Sequence, residues 1–178
     1  MNVKAKISWD ELFMGIAALA SRRSKDPSTK HGACIVNGEK RIISVGYSGM
    51  PLGDDDNYPW GKDAKERENT KYPYVIHCEP NAILNASMPL SGATIYIYSD
   101  RKYLPCSECM KLIVQVKIKE VVLADSINVN TDEYNWKPTL HMAKVSGVKI
   151  RLMGKVQSQK SFLKIAEEFK AMAKMLDE

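Results

Sequence analysis

His77, Glu79, Cys106 and Cys109 are the side chains in this 178-residue sequence whose types and spacing point to chemistry. One imidazole and two thiolates hold a zinc ion with three protein ligands and leave the fourth tetrahedral position to water, the arrangement of catalytic rather than structural zinc. Zinc in such a site makes its water a nucleophile near neutral pH. Glu79 stands two residues after His77, too close for both to ligate from one helical turn, so its carboxylate is the natural proton shuttle for that water. The chemistry expected is hydrolysis at C4 of a cytosine ring. Glu79 takes a proton from water, passes it to N3 and helps protonate the departing amine, leaving uracil and ammonia.

The order His77-x-Glu79, then Pro105-Cys106-x-x-Cys109, is the signature shared by zinc-dependent nucleobase deaminases. A C-x-x-C pair by itself also suits a redox dithiol or half of a structural zinc finger. No second C-x-x-C and no H-x-x-x-H is present to close a four-ligand cage. Cys78 is a rival first ligand if the register slips by one, but its offset from Glu79 is one rather than two. It is expected to be a small helix-core residue, as is Cys34 in the apolar run Gly32–Val36. His31 and His141 are expected at the surface or as caps.

The elements that must position these groups follow from periodicity. His77 and Glu79 are expected to open one helix and Cys106 and Cys109 another, with Pro80 and Pro105 in first-turn positions, where a missing N–H costs nothing. Two helix N-termini then converge on the metal, and their dipoles favour thiolate over thiol. Trp9, Leu12, Phe13, Ile16, Leu19 and Ala20 recur at helical spacing, predicting a core-facing helix over 8–22 capped by Ser8. Residues 32–37 and 41–47 are β-rich runs around the turn Asn37-Gly38-Glu39. Strands are expected at 93–98, 120–124 and 148–152, and helices at 106–116, 132–146 and 161–176. This alternation specifies an α/β sandwich with a parallel portion. Residues 46–74, rich in Gly, Pro, Asp and Asn, show weak periodicity, and a long insertion of this kind is usually functional or mobile.

The chain as a whole is 44 % hydrophobic, enough for the core of one domain and too short for two to be expected. Four cysteines without a dense framework argue against a disulfide-stapled secreted protein and fit a reducing cytosol. Residues 1–10 lack an apolar signal core, and no run approaches the roughly 20 apolar residues that span a bilayer, so a soluble cytoplasmic protein without membrane contact is expected. Lys and Arg exceed Asp and Glu by 26 to 21, a net +5 spread along the chain. That mild excess suits an anionic ligand, and charge alone does not separate nucleotide from nucleic acid.

From about residue 8 to 153 the sequence resembles the deoxycytidylate (dCMP) deaminases of the cytidine deaminase superfamily. The resemblance rests on Arg23-Ser-Lys-Asp-Pro27, Gly32-Ala-Cys-Ile-Val36, Gly46-Tyr-Ser-Gly-Met-Pro51, Thr70-Lys-Tyr-Pro-Tyr74, His77-Cys-Glu-Pro-Asn-Ala-Ile83, Pro105-Cys-Ser-Glu-Cys109 and Ile118-Lys-Glu-Val121. It implies a three-layer α/β sandwich with a five-stranded mixed sheet, conversion of dCMP to dUMP for thymidylate synthesis, and a homo-hexamer. It also implies activation by dCTP with Mg²⁺ and inhibition by dTTP. His77, Cys106 and Cys109 then hold Zn²⁺, and Glu79 is the catalytic residue. Arg22, Arg23, Lys25, Gly46, Tyr47 and Gly49 are candidates for the regulatory triphosphate, where basic side chains and backbone N–H groups suit phosphate.

This chain departs from the family at three places. Ser48 stands where the family usually has an Asn that holds the sugar, so Ser48 and Asn81 are the nearest candidates for substrate contact. The link into the Pro-Cys motif is lengthened by Ser99-Asp-Arg-Lys-Tyr103, which puts Arg101 and Lys102 just before the second zinc helix and suggests dCTP as an additional substrate. The aromatic that follows the fourth strand in relatives falls near Ile127 or Asn128, leaving Tyr134 and Trp136 as substitutes. A deaminase of tRNA or single-stranded DNA would use the same zinc chemistry with a basic surface and stacking aromatics. Three Trp, three Phe and no dense basic stripe argue against nucleic acid as partner. A nucleotide sensor with structural zinc would leave Glu79 idle.

Overall fold

In the computed structural model, which describes residues 6–100, 103–124, 136–153 and 167, α1 (Trp9–Ser21) begins directly after Ser8. The Ser8 hydroxyl accepts the Glu11 N–H at 3.2 Å, and the Glu11 carboxylate accepts the Ser8 N–H at 2.5 Å, a reciprocal capping box. The chain then forms β1 (His31–Val36) and β2 (Ile42–Tyr47), followed by α2 (Cys78–Leu84) and β3 (Thr94–Ser99). The last described elements are α3 (Ser107–Gln115), β4 (Glu120–Leu123), α4 (Trp136–Ser146) and β5 (Lys149–Leu152). The predicted C-terminal helix over 161–176 lies outside the described residues apart from Glu167, which is helical and exposed.

The five strands form one mixed sheet in the order β2-β1-β3-β4-β5. β1 pairs antiparallel with β2 and β3, whereas β3, β4 and β5 run parallel. At the β1–β2 turn the Asn37 side-chain oxygen accepts the N–H groups of Glu39 and Arg41, and Lys40 rather than Gly38 takes the left-handed conformation, φ 62°. Strand side chains alternate between two apolar layers. Ala33, Ile35, Ile95, Ile97, Val121 and Leu123 face α2, α3 and α4 through Cys78, Ala82, Met110, Ile113 and Ala143. Cys34, Val36, Tyr96 and Val122 face α1 through Phe13, Met14 and Ala17. The architecture is therefore the three-layer α/β sandwich expected.

Two glycines allow the outer layers to close on the sheet. A Cβ on Gly32 would lie 2.0 Å from the Ala17 carbonyl oxygen, and one on Gly46 would lie 2.3 Å from the Ala82 nitrogen. This close seating rotates α1 relative to the predicted stripe. Phe13, Met14, Ala17, Ala20 and Ser21 are buried, while Trp9, Leu12 and Leu19 are exposed. Trp9 instead stacks on Phe13 with centroids 5.5 Å apart and carries the Lys40 ammonium over its ring. The insertion over 48–74 contains only the short 3-10 turns Pro51–Gly53 and Arg67–Asn69. It is tied down by its own polar contacts. Asp55 accepts the Met50 N–H, Trp60 donates to the Asp55 carbonyl, and Gly49 and Ile76 form an isolated β-bridge.

Candidate active site

His77 is the N-cap of α2 and Cys106 the N-cap of α3, so the two predicted helix starts each shift by a residue. Pro80 is in the first turn of α2, as expected. Pro105 is not in a first turn, because the Cys106 sulfur takes the capping role, accepting the Cys109 N–H, and leaves Pro105 outside the helix. The Pro105 carbonyl accepts the Thr139 hydroxyl at 3.0 Å, which links this corner to α4.

The caps bring three donor atoms together. His77 Nδ1 lies 3.6 Å from Cys106 Sγ and 3.4 Å from Cys109 Sγ, and the two sulfurs are 3.3 Å apart. Zinc bonds of about 2.3 Å to sulfur and about 2.0–2.1 Å to nitrogen at tetrahedral angles require donor separations of about 3.5–3.8 Å. Among the described residues this trio is the one cluster with metal-ligand spacing, and at 3.3–3.6 Å it needs only a slight spreading of the sulfurs to hold zinc. The hydrogen bond between the Cys106 and Cys109 sulfurs, together with His77, pushes Cys106 down to about 4, while Cys109 and His77 are raised. A zinc ion binding to this trio must displace the protons its donors carry.

Glu79 is buried beside the trio but is not one of its donors. The Cys78 thiol donates to Glu79 Oε2 at 3.3 Å, and burial holds that thiol well above the usual range. Cys78 is thus a core residue that also fixes the carboxylate. It is not the first metal ligand.

Above these groups lies a cavity of about 290 Å³ whose floor includes His77, Glu79 and Cys106. Lys62, Arg67 and Lys71 make one wall basic. Lys71 and Asp26 are 6 % and 3 % exposed and form a buried ion pair, and Asp26 also accepts the N–H groups of Ser28 and Thr29. This pair joins Arg23-Ser-Lys-Asp-Pro27 to Thr70-Lys-Tyr-Pro-Tyr74, so the motifs carried the signal for a joint role that reading them separately missed. His31 was also missed. It is half-buried at the start of β1 and lines the cavity, because the end of the strand abuts the site instead of facing solvent. His141 is exposed, as expected.

Of the remaining candidates, Ser48 lines the cavity, is 2 % exposed, and has a hydroxyl without a hydrogen-bond partner. Asn81 does not line it and donates to the Tyr47 carbonyl at 2.7 Å. Arg22 and Arg23 are exposed after α1, Lys25 pairs with Asp56 at 2.9 Å, and Gly46, Tyr47 and Gly49 lie outside the cavity lining. Arg101, Lys102 and Tyr134, with Ile127 and Asn128, lie outside the described residues, whereas Trp136 is half-buried against the core.

The family model "Cytidine and deoxycytidylate deaminase zinc-binding region" matches residues 7–125. Deoxycytidylate deaminases of Pongo abelii and Homo sapiens are each 46 % identical over 129 residues, 71 % of this chain and 70 % of theirs. The crystal structure of dCMP deaminase from the cyanophage S-TIM5 in complex with dCMP and dUMP shares the fold. Its TM-score is 0.62 at 24 % identity, covering 84 % of this chain and 99 % of that one. No helix among the described residues is long and apolar enough to cross a membrane. The extent of the sequence match and a donor trio with zinc spacing place this chain in the cytidine and deoxycytidylate deaminase family.

Proposed function

We propose that the chain hydrolyses dCMP to dUMP and ammonia, supplying dUMP for thymidylate synthesis. The observation that carries this reading is the cavity itself, whose lining joins Glu79 and two of the metal donors, His77 and Cys106, to a wall of Lys62, Arg67 and Lys71. A cytosine ring directed at the floor leaves its 5′-phosphate toward the cationic wall, where charge-assisted hydrogen bonds are strongest.

Bound zinc supplies a Lewis acid that makes water nucleophilic near neutral pH. Glu79 accepts a proton from the attacking water and delivers it to N3. The carboxylate then takes the remaining proton from the C4 hydroxyl, so that the C4–O bond becomes a carbonyl, and gives it to N4 as the C4–N4 bond breaks and ammonia leaves. Cys78 holds Glu79 Oε2 throughout, which limits the rotamers open to the carboxylate. The Lys71–Asp26 pair keeps one cation of the phosphate wall in a fixed place.

The regulatory part of the proposal is activation by dCTP with Mg²⁺ and inhibition by dTTP on a homo-hexamer in the cytoplasm. Arg22, Arg23, Lys25, Gly46, Tyr47 and Gly49 lie outside the cavity lining, a location that supports a site separate from the substrate's. The proposal extends to dCTP as a second substrate, held by Arg101 and Lys102, with Tyr134 contacting the nucleotide.

The test is ammonia release from dCMP, dCTP, deoxycytidine and cytosine-containing single-stranded DNA, with and without dTTP and Mg²⁺, alongside light scattering for assembly size. Turnover of dCMP far above deoxycytidine supports the nucleotide reading, and suppression by dTTP supports the regulation. Activity on DNA alone overturns the substrate and leaves the zinc chemistry. Arg101→Ala and Lys102→Ala should lower dCTP turnover about tenfold more than dCMP turnover. Equal losses would remove the second substrate.

A further inference from the structure

One polar group lining the cavity, the Ser48 hydroxyl, has no hydrogen-bond partner. Ser48 follows β2 directly, and its N–H donates to the His31 carbonyl at 3.1 Å. The register of β1 and β2 pairs Gly32 with Tyr47, so His31 and Ser48 are the next opposed pair. Directly opposed residues of an antiparallel pair place their side chains on one face, with Cβ atoms about 4.5–5.5 Å apart. Both line the cavity. The Ser48 hydroxyl is shielded from water and unpartnered, a condition native proteins rarely tolerate without a ligand or water to complete it. The His31 ring stacks on Tyr103 with centroids 6.3 Å apart at 29°.

The chemistry of a deoxynucleoside monophosphate indicates what these groups would meet. Its base is directed at Glu79 and the metal donors, and its phosphate at the basic wall. One further polar group remains, the 3′-hydroxyl, which both donates and accepts. A serine hydroxyl does the same, and a neutral imidazole offers one donor and one acceptor. Burial lowers the His31 pKa against the opposing charge of Glu79, which favours the neutral ring. Ser48 is shorter than the Asn usual in the family at its position, and the longer His31 side chain on the adjoining strand spans the missing reach.

We infer that His31 and Ser48 together hold the 3′-hydroxyl of the substrate sugar, making His31 a specificity-determining residue of this chain. The inference rests on the dCMP reading.

The experiment compares dCMP with 2′,3′-dideoxycytidine monophosphate on the zinc-loaded full chain, for wild type, His31→Ala, His31→Gln, Ser48→Ala and the double alanine variant. Calorimetric binding of dUMP provides a second readout, and zinc content and melting temperature check each fold. Wild type should favour dCMP through KM by about tenfold or more. His31→Ala and Ser48→Ala should each raise KM for dCMP and weaken dUMP binding several-fold, with a smaller penalty on the dideoxy substrate. His31→Gln, which keeps a donor and an acceptor, should recover part of the loss. Equal penalties on both substrates, or a wild type blind to the 3′-hydroxyl, overturn the inference. Should His31→Ala not fold, Ser48→Ala and the wild-type comparison still decide it. Wild type that deaminates neither nucleotide overturns the dCMP reading instead, so the two failures are distinguishable.

Discussion

Glu79 has one role that no neighbour duplicates, since its carboxylate is buried beside the donor trio and outside it. Glu79→Gln should keep zinc and fold and lower kcat by about 10²–10⁴-fold, read by ammonia release beside metal analysis. Unchanged turnover would instead favour a nucleotide sensor. Lys71 lines the cavity and pairs with Asp26, so the proposed phosphate contact and the fold both depend on it. Lys71→Met leaves Asp26 buried without its counter-ion and should cost about 3 kcal/mol in urea unfolding. Combining it with Asp26→Asn should restore most of that stability while KM for dCMP stays raised, which separates a phosphate contact from a purely structural pair. The four groups of the chemistry were legible because metal ligation needs fixed residue types at short spacing. Asp26, Lys71 and His31 were not, because their roles arise only when segments distant in sequence meet.

At the scale of elements, the caps and the alternation of strand side chains were written in the sequence, and the seating of α1 was not. A helical stripe indicates that one face is apolar. It does not say which edge of that face Gly32 brings against the sheet, so Leu12 and Leu19 ended outside and Met14 inside. The first turn of α1 is held to the far edge of the sheet by Arg151 of β5, which donates to Asp10 at 2.6 Å and to Glu120 of β4 at 3.2 Å. The Arg151 guanidinium holds the Asp10 carboxyl below the usual carboxylate range, and the Tyr96 hydroxyl also donates to it. A depressed folded pKa gives stability that is full above the unfolded value near 3.9 and is lost as pH falls through the lower folded value. Urea midpoints should therefore drop below about pH 4, and Arg151→Met should remove about 1 kcal/mol at neutral pH and flatten that step.

For the molecule as a whole, the metal joins what the backbone leaves as separate helix starts. α2 and α3 begin on either side of the site, and among the described residues their caps meet only through the donor trio and the packing behind it. Zinc binds the folded arrangement far better than an unfolded chain, so its removal should lower the melting temperature in proportion to the logarithm of free zinc. Calorimetry across a zinc-buffer series checks this, and Cys106→Ser should abolish the dependence. The raised His77 pKa adds a direction: apparent zinc affinity should weaken as pH falls, because the metal must displace that proton.

The burial pattern of the four cysteines has a practical side. Cys34 and Cys78 are sealed in the two apolar layers, with burial pushing Cys34 up to about 12, and Cys109 is covered as well. Cys106 alone is half-open to solvent. A coloured disulfide reagent would therefore find no ready thiol while zinc caps the sulfurs, and would turn over first at Cys106 once the ion departs. The rate at which such a reagent reacts thus gauges metal occupancy, with no engineered probe needed.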